Sequence, residues 1–324
     1  MTRLVFVASL AALGAACGAR QPALPPSDAA PRTVAQADTP PAAPPVSNAG
    51  AEMAAVDTTD TVSARTLETF RDILGDAAAQ QVGDRSYGEI IQWTGEQLLG
   101  RPYVAGMLDA PPHEKLVIDL AGFDCVLYIE NVLALSRMIA LGQADYADYA
   151  RGVQTLRYRG GELDGYCSRL HYFSEWILNN ESRGGLRNIT SQIGGVPLDK
   201  RLTFMGEHRD AYPHLASDET YACILEMEAS LADAELFYIP QDQIAAAYAR
   251  LQPGDIIATA TSIGGLDVTH TGFVHKTSAH TGFMHASLSS NQVKISDDLQ
   301  RYVQGIKSQI GVVVARPTDP RRQG

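Results

Sequence analysis

The sequence predicts an α+β fold, with helices leading and an antiparallel sheet closing the chain. Three observations predict it. Apolar residues recur at helical spacing in segments 66–79, 86–99 and 125–139. Beyond Gly254 the apolar runs shorten and fill with Val, Ile and Thr, residue types that fit strands. No low-complexity break divides residues 64–324, a length that one domain with an insertion accommodates.

The segment before that body reads as targeting and tether. Met1 to Cys17 carries one positive charge at Arg3, an apolar run from Leu4 to Leu13, then Gly14, Ala15, Ala16 and Cys17. The run is too short to span a bilayer, and small residues before a cysteine suit a signal-peptidase site. The placement of Cys17 resembles a bacterial lipobox, although Gly14 stands where Leu is usual. Export to the cell envelope, on the periplasmic side, is therefore expected, with the membrane reached through a lipid anchor and not a span. Residues 18–63 are rich in Ala, Pro, Asp, Thr and Ser and are expected to form a disordered tether.

In the body, helices are expected over Thr66–Ala79 and Ser86–Leu99, the latter with Ile90, Ile91, Trp93, Leu98 and Leu99 as its apolar face. Gly100, Arg101 and Pro102 stop the second helix. Tyr103 to Gly106 and Leu116 to Leu120 read as short extended pieces. Asp124 is a good N-cap, and the residues after it are apolar almost all round, so a buried helix opens at Cys125. A thiol there meets unpaired N–H groups and the positive end of the helix dipole, which favour thiolate. The alternative is that Cys125 is simply a small buried hydrophobe.

Segment 146–250 exceeds what a minimal core needs and is expected as an insertion. Within it, Tyr166, Cys167, Ser168, Arg169, Leu170, His171 and Tyr172 concentrate aromatic and basic residues. They suit either a helix start capped by Ser168, with Tyr172, Phe173 and Trp176 packed inward, or a substrate-binding wall. Arg169 has the planar fork that pairs bidentately with a carboxylate. Helices are expected over Glu219–Leu236 and Gln243–Leu251, and a buried strand from Ile256.

His270-Thr-Gly-Phe-Val-His275 is nearly repeated as His280-Thr-Gly-Phe-Met-His285, which reads as a hairpin joined by Lys276 to Ala279. That register sets His270 opposite His285, where the rings can share a hydrogen bond. It sets His275 opposite His280 on the other face, solvated near the turn. Zinc is disfavoured because the pairs face opposite sides and no Cys joins them at finger spacing. Asn291 to Ser296 and Ser308 to Arg316 read as further strands, for five or so in all.

The formal charge of −11 and the lack of a Lys/Arg cluster in the sequence argue against nucleic-acid binding. With Cys17 assigned to the signal, Cys125, Cys167 and Cys223 remain. An odd count in an oxidising compartment leaves one thiol, the arithmetic expected if Cys167 and Cys223 pair and Cys125 stays reactive.

Helix, then Gly-x-Pro-Tyr at 100–103, then Asp124-Cys125 opening a buried helix resembles the front half of the NlpC-type cysteine peptidases, which share the papain-like core. The stretch from about Ile90 to Pro317 further resembles their N-acetylmuramoyl-L-alanine amidase branch. The match runs through Phe123-Asp124-Cys125 with Glu130, Tyr158-Arg159, Ser168 to Tyr172, Gly254 to Ile257, Gly265-Leu266-Asp267 to His270, and His285-Ala286-Ser287. Leu127-Tyr128 departs from the Thr-Phe type pair usual in the branch. The resemblance implies a papain-like core with a helical insertion, Cys125 as nucleophile, His270 as base and His285 as the polar third member. It also implies no metal or other cofactor, and a bond between the muramic lactyl group and L-Ala as the target. Tyr103, Asp124, Tyr166, Ser168, Arg169, His171, Asp267 and Ser287 are the expected substrate contacts, and a monomer is expected. The rivals are a stem-peptide endopeptidase of the same superfamily and a catalytically silent muropeptide-binding lipoprotein.

Overall fold

A computed structural model describes residues 62–322. The expectations for the export signal and for tether residues 18–61 lie outside the described residues. Helix α1, Ala64–Ala79, begins where the Ser63 hydroxyl accepts the Thr66 N–H at 3.1 Å. Helix α2, Tyr87–Glu96, starts in a capping box: Ser86 and Glu89 satisfy each other's backbone N–H. It stops short of the expected Leu99, which is exposed, while Leu98 is buried.

Residues 116–120 form no strand, contrary to expectation. Their backbone is taken up by side chains instead: Leu120 N–H donates to Thr66 Oγ1 and Arg157 donates to the Val117 carbonyl. Helix α3, Cys125–Leu141, is capped by Asp124 and released at Gly142, whose φ of 65° is the left-handed conformation a helix end requires. Helix α4, Tyr146–Arg157, packs beside it, and α5, Phe173–Ser182, packs against α4. A buried ion pair ties α3 to α4: Arg157 meets Glu130 at 2.7 Å, both side chains 1% exposed, and Trp176 Nε1 donates to the other Glu130 oxygen.

The region expected as an insertion does more than cover the core. It supplies β1, Leu186–Asn188, β2, Val196–Pro197, helices α6, Phe204–Glu207, and α7, Asp218–Ser230, then β3, Phe237–Pro240, and α8, Ile244–Ala247. Helices α7 and α8 are shorter than the expected spans. Leu236 and its neighbours instead run out toward β3, the Leu236 carbonyl accepting the Leu198 N–H. The remaining elements are β4, Ile256–Thr261, β5, Val268–Lys276, β6, Thr281–Ser287, β7, Gln292–Ser296, α9, Leu299–Gln304, and β8, Gln309–Pro317.

The eight strands among the described residues form one antiparallel sheet in the order β2-β3-β8-β4-β5-β6-β7, with β1 also on β8. One face packs Ile256, Ala258, Phe273, Met284 and Ala286 with α2 and α3. The other packs Ile257, Val274, Phe283, Val312 and Val314 with α8 and α9. With both faces covered, β4 and β6 are buried at every position and show no polar alternation.

Candidate active site

Cys125 is the first residue of α3 and a free thiol; Cys167 and Cys223 form a disulfide. Asp124 Oδ1 accepts the Leu127 N–H at 2.8 Å, so that carboxylate oxygen caps the helix. From the sheet, the Thr271 hydroxyl donates to the Cys125 carbonyl at 3.1 Å, fastening the helix start to β5. The next residue back along β5 is His270, whose Nε2 lies 2.7 Å from His285 Nδ1, while His285 Nε2 lies 3.1 Å from Ser296 Oγ.

The histidine pair forms in a register two residues away from the expected one. Phe273 faces Met284 and His275 faces Gly282, so Gly272 and not His270 stands directly opposite His285. An even slip keeps every side chain on its face. The two rings meet diagonally across the ladder, and Gly272, having no side chain, leaves the room. A β-carbon there would lie 2.5 Å from the Met284 carbonyl oxygen and 2.8 Å from His285 Cβ. A bulge helps aim the ring, since Thr259 pairs with His270 and Ala260 with Val268, leaving Thr269 as the extra residue. His275 is not solvated as expected; it is buried and pairs with Glu96 of α2 at 3.0 Å, while His280 is exposed.

Tyr302 of α9 joins the two halves of the site. Its ring lies 4.8 Å from His285 and 6.2 Å from His270, and Cys125 lies close enough to help raise its phenol pKa. Tyr103 on the other side is raised in the same way, chiefly by burial and then by Cys125. No hydrogen bond joins the Cys125 sulfur to His270 among the described residues; Tyr302 is a neighbour of both. Tyr302 and Thr271 escaped the sequence reading. Thr271 follows His270 directly, and the alternation of strand faces marks it as the residue reaching the helix.

Burial dominates the electrostatics. It pushes the Cys125 thiol up to about 12, the Asp124 charge adds to this, and hydrogen bonding from Thr271 opposes it. Burial holds His270 down to about 4, and burial with the neighbouring His270 and Lys294 holds His285 down to about 2. Burial thus works against the thiolate expected at the helix start, at a thiol that is itself half-buried, and against the charged form of both imidazoles.

In the Tyr166 to His171 stretch, expected as a helix start or a substrate-binding wall, the polar groups are engaged internally. Ser168 does not cap α5; it donates to the Gly165 carbonyl and accepts the Asp164 N–H. Arg169 lies over the Tyr166 ring at 4.6 Å, and its guanidinium pairs with Asp109 at 2.5 Å and Glu114 at 3.7 Å, so the fork expected for a substrate carboxylate is not open. His171 bonds the Tyr166 carbonyl, and burial followed by Arg169 holds it down to about 3, so it is a neutral ring. Asp267 accepts the Ser174 N–H at 2.6 Å, replacing the side-chain cap that α5 lacks. Ser287 bonds Ser289 and the Ser290 N–H within its own turn. Among the described residues no group of three or more His, Cys, Asp or Glu is placed to hold a metal ion, and no helix is long and apolar enough to cross a membrane.

Residues 93–312 match the model of a family described as AmiA-like, N-acetylmuramoyl-L-alanine amidase-like. Among solved structures, an N-acetylmuramoyl-L-alanine amidase from Bacteroides uniformis is 32% identical with a TM-score of 0.69, over 72% of this chain and 100% of that one. A Bacteroides fragilis protein carrying the name of a xylanase is 32% identical with a TM-score of 0.62, over 69% of this chain and 99% of that one. A Legionella pneumophila protein at 19% identity and a TM-score of 0.57, over 79% of this chain and 97% of that one, shares the fold. No curated protein matches the chain.

Proposed function

The chain belongs to the AmiA-like, N-acetylmuramoyl-L-alanine amidase-like family, and on that premise we propose that it is a cell-wall hydrolase. It cleaves the amide between N-acetylmuramic acid and L-Ala in peptidoglycan fragments, with a cysteine nucleophile on an NlpC-type, papain-like scaffold. The observation that carries this reading is a free thiol at the start of a buried helix, fastened by Thr271 to the strand that holds the His270–His285 pair.

The hydrogen-bond chain supplies a polarity. If His285 Nε2–H donates to Ser296 Oγ, its Nδ1 accepts from His270 Nε2–H, and His270 Nδ1 is left with a free lone pair. That nitrogen takes the Cys125 proton as the sulfur attacks the lactyl carbonyl carbon. The developing oxyanion meets the Cys125 N–H, one of the unpaired donors at the helix start. The tetrahedral adduct collapses, the C–N bond breaks, and the His270 proton goes to the leaving amine of L-Ala. Water, deprotonated by His270, then hydrolyses the thioester to the free lactyl acid and regenerates the thiol. Because burial favours a neutral thiol and a neutral imidazole at rest, proton transfer accompanies attack.

The Cys167–Cys223 disulfide suits an oxidising compartment, which supports work in the cell envelope after export; lipid attachment at Cys17 belongs to the same proposal on the sequence alone. A glycosidase reading, as the B. fragilis name would invite, requires two carboxylates flanking the bond. Here the carboxylate next to the thiol has an oxygen bonded as a helix cap. The test is a digest of purified muropeptides read by mass analysis, with Cys125→Ala as control. Free peptide beginning at L-Ala supports the amidase; muramoyl-L-Ala among the products supports an endopeptidase; no products from the parent chain leaves only binding and refutes both.

A further inference from the structure

A basic groove assembles on an acidic chain, at the end of the sheet away from the histidine pair. Two clefts of about 670 and 340 Å³ share Tyr87, Pro317 and Thr318 along their common border. Arg187, Arg316, Arg321 and Arg322 line the first, and Arg137, Arg151 and Arg183 the second. Three of these are neutralised: Arg316 by Asp255, Arg321 by Asp319 and Arg151 by Asp148. The other four retain their charge. Among the described residues, the exposed Arg187 and Arg137 side chains have no hydrogen-bond or ion-pair partner, Arg183 bonds only asparagine oxygens, and Arg322 is 84% exposed at 4.0 Å from the already paired Asp319. Four uncommitted guanidiniums on a chain of net charge −11 are the reverse of its average surface.

We propose that this groove is a second binding site, separate from the active site, for a carboxylate-bearing peptide polymer, namely neighbouring stem peptides of uncleaved cell wall. The proposal rests on the cell-wall reading above. Asp255, on the groove floor, lies four residues along the chain from Thr259, the register partner of His270. At 3.3 Å per residue that is about 13 Å. Guanidinium forks suit carboxylates. The concave shape admits a strand and not a flat bilayer, and none of the exposed large apolar side chains lines either cleft, so nothing there inserts into lipid. Through this contact the enzyme stays on the polymer while its active site works on individual stems.

The test uses the full chain with and without the double substitution Arg187→Glu/Arg322→Glu, both at exposed positions. Co-sedimentation with isolated sacculi, binding to poly-L-glutamate, and binding to phosphatidylglycerol-containing vesicles are compared at low and high salt. The expected result is sacculus and polyglutamate binding that salt weakens and the substitution weakens by about tenfold or more, with hydrolysis of a soluble muropeptide unchanged. Binding unaffected by the substitution overturns the proposal, as does binding to vesicles in preference to polyglutamate. A parent chain that binds sacculi through these arginines yet hydrolyses no muropeptide sinks the enzymatic reading and leaves the groove standing.

Discussion

The resting protonation state of the site has a measurable signature in the alkylation of Cys125. With the thiol pushed up to about 12 and His270 held down to about 4, neither group is charged between those limits. At pH 7 the thiolate fraction is then on the order of 10⁻⁵, against a few per cent for an unperturbed cysteine of pKa about 8.5. The rate of modification by iodoacetamide, corrected for the disulfide cysteines by using native oxidised protein, should therefore rise about tenfold per pH unit from pH 6 to 9. Turnover should behave differently. It needs only a neutral His270, so its rate should fall in acid and be flat across that same interval. His270→Ala should abolish turnover and leave the slope of the alkylation profile in place. A flat, fast alkylation profile down to pH 5 would mean a thiolate–imidazolium pair, and would refute the claim that desolvation outweighs the helix dipole here.

Gly272→Ala adds one methyl group at the point where the hairpin closes on the histidine pair, within 2.8 Å of His285 Cβ. Turnover should fall by about a hundredfold or more with the Cys125 alkylation profile unchanged, because the base and not the nucleophile is displaced. Arg157→Ala leaves Glu130 buried without its ion-pair partner and should cost about 3–5 kcal/mol of unfolding free energy in a denaturant titration. A cost below 1 kcal/mol would show that the pair is dispensable. Half-buried His270 and buried His285 have folded pKa values below the unfolded value near 6.5, so the unfolded chain binds protons first as pH falls. Their stabilisation is complete above pH 6.5 and is lost below it, at roughly 2 kcal/mol each by pH 5. The melting temperature should decline over that window, and His285→Asn should flatten the decline.

The parts of this fold legible in the sequence were those where local chemistry and global structure agree. Asp124 before an all-round apolar run, and Ser86 with Glu89, mark helix starts because a cap must lie within a few residues of the donors it satisfies. Two near-identical His-x-Gly-Phe-x-His runs mark a hairpin for a similar reason. What escaped was set by long-range contacts. The pairing of β1 and β3 with β8 joins Leu186 to Pro317 and Ile239 to Val312, far apart in the chain, through strands of three and four residues, too short for periodicity to register. The hairpin slipped by two because the pattern constrains which face a side chain takes and an even slip leaves faces alone.

The same distinction separates the two sets of site residues. Cys125, His270 and His285 announce themselves because chemistry restricts which side chains can attack or carry a proton. Arg169, His171 and Asp267 carry equally suggestive side chains, yet their roles depend on which groups fold back against them, and Asp109, Tyr166 and Ser174 are distant or unremarkable in sequence. Nothing local says that Asp109 will occupy the Arg169 fork from 60 residues away. Asp109 is itself 44% exposed, so an incoming carboxylate can compete for that fork without first being buried. Asp109→Asn removes the resident competitor, and under the cell-wall reading it should lower KM for a muropeptide bearing free stem carboxylates by a few-fold while leaving kcat alone. An unchanged KM would mean that Arg169 is a structural strut and never meets substrate.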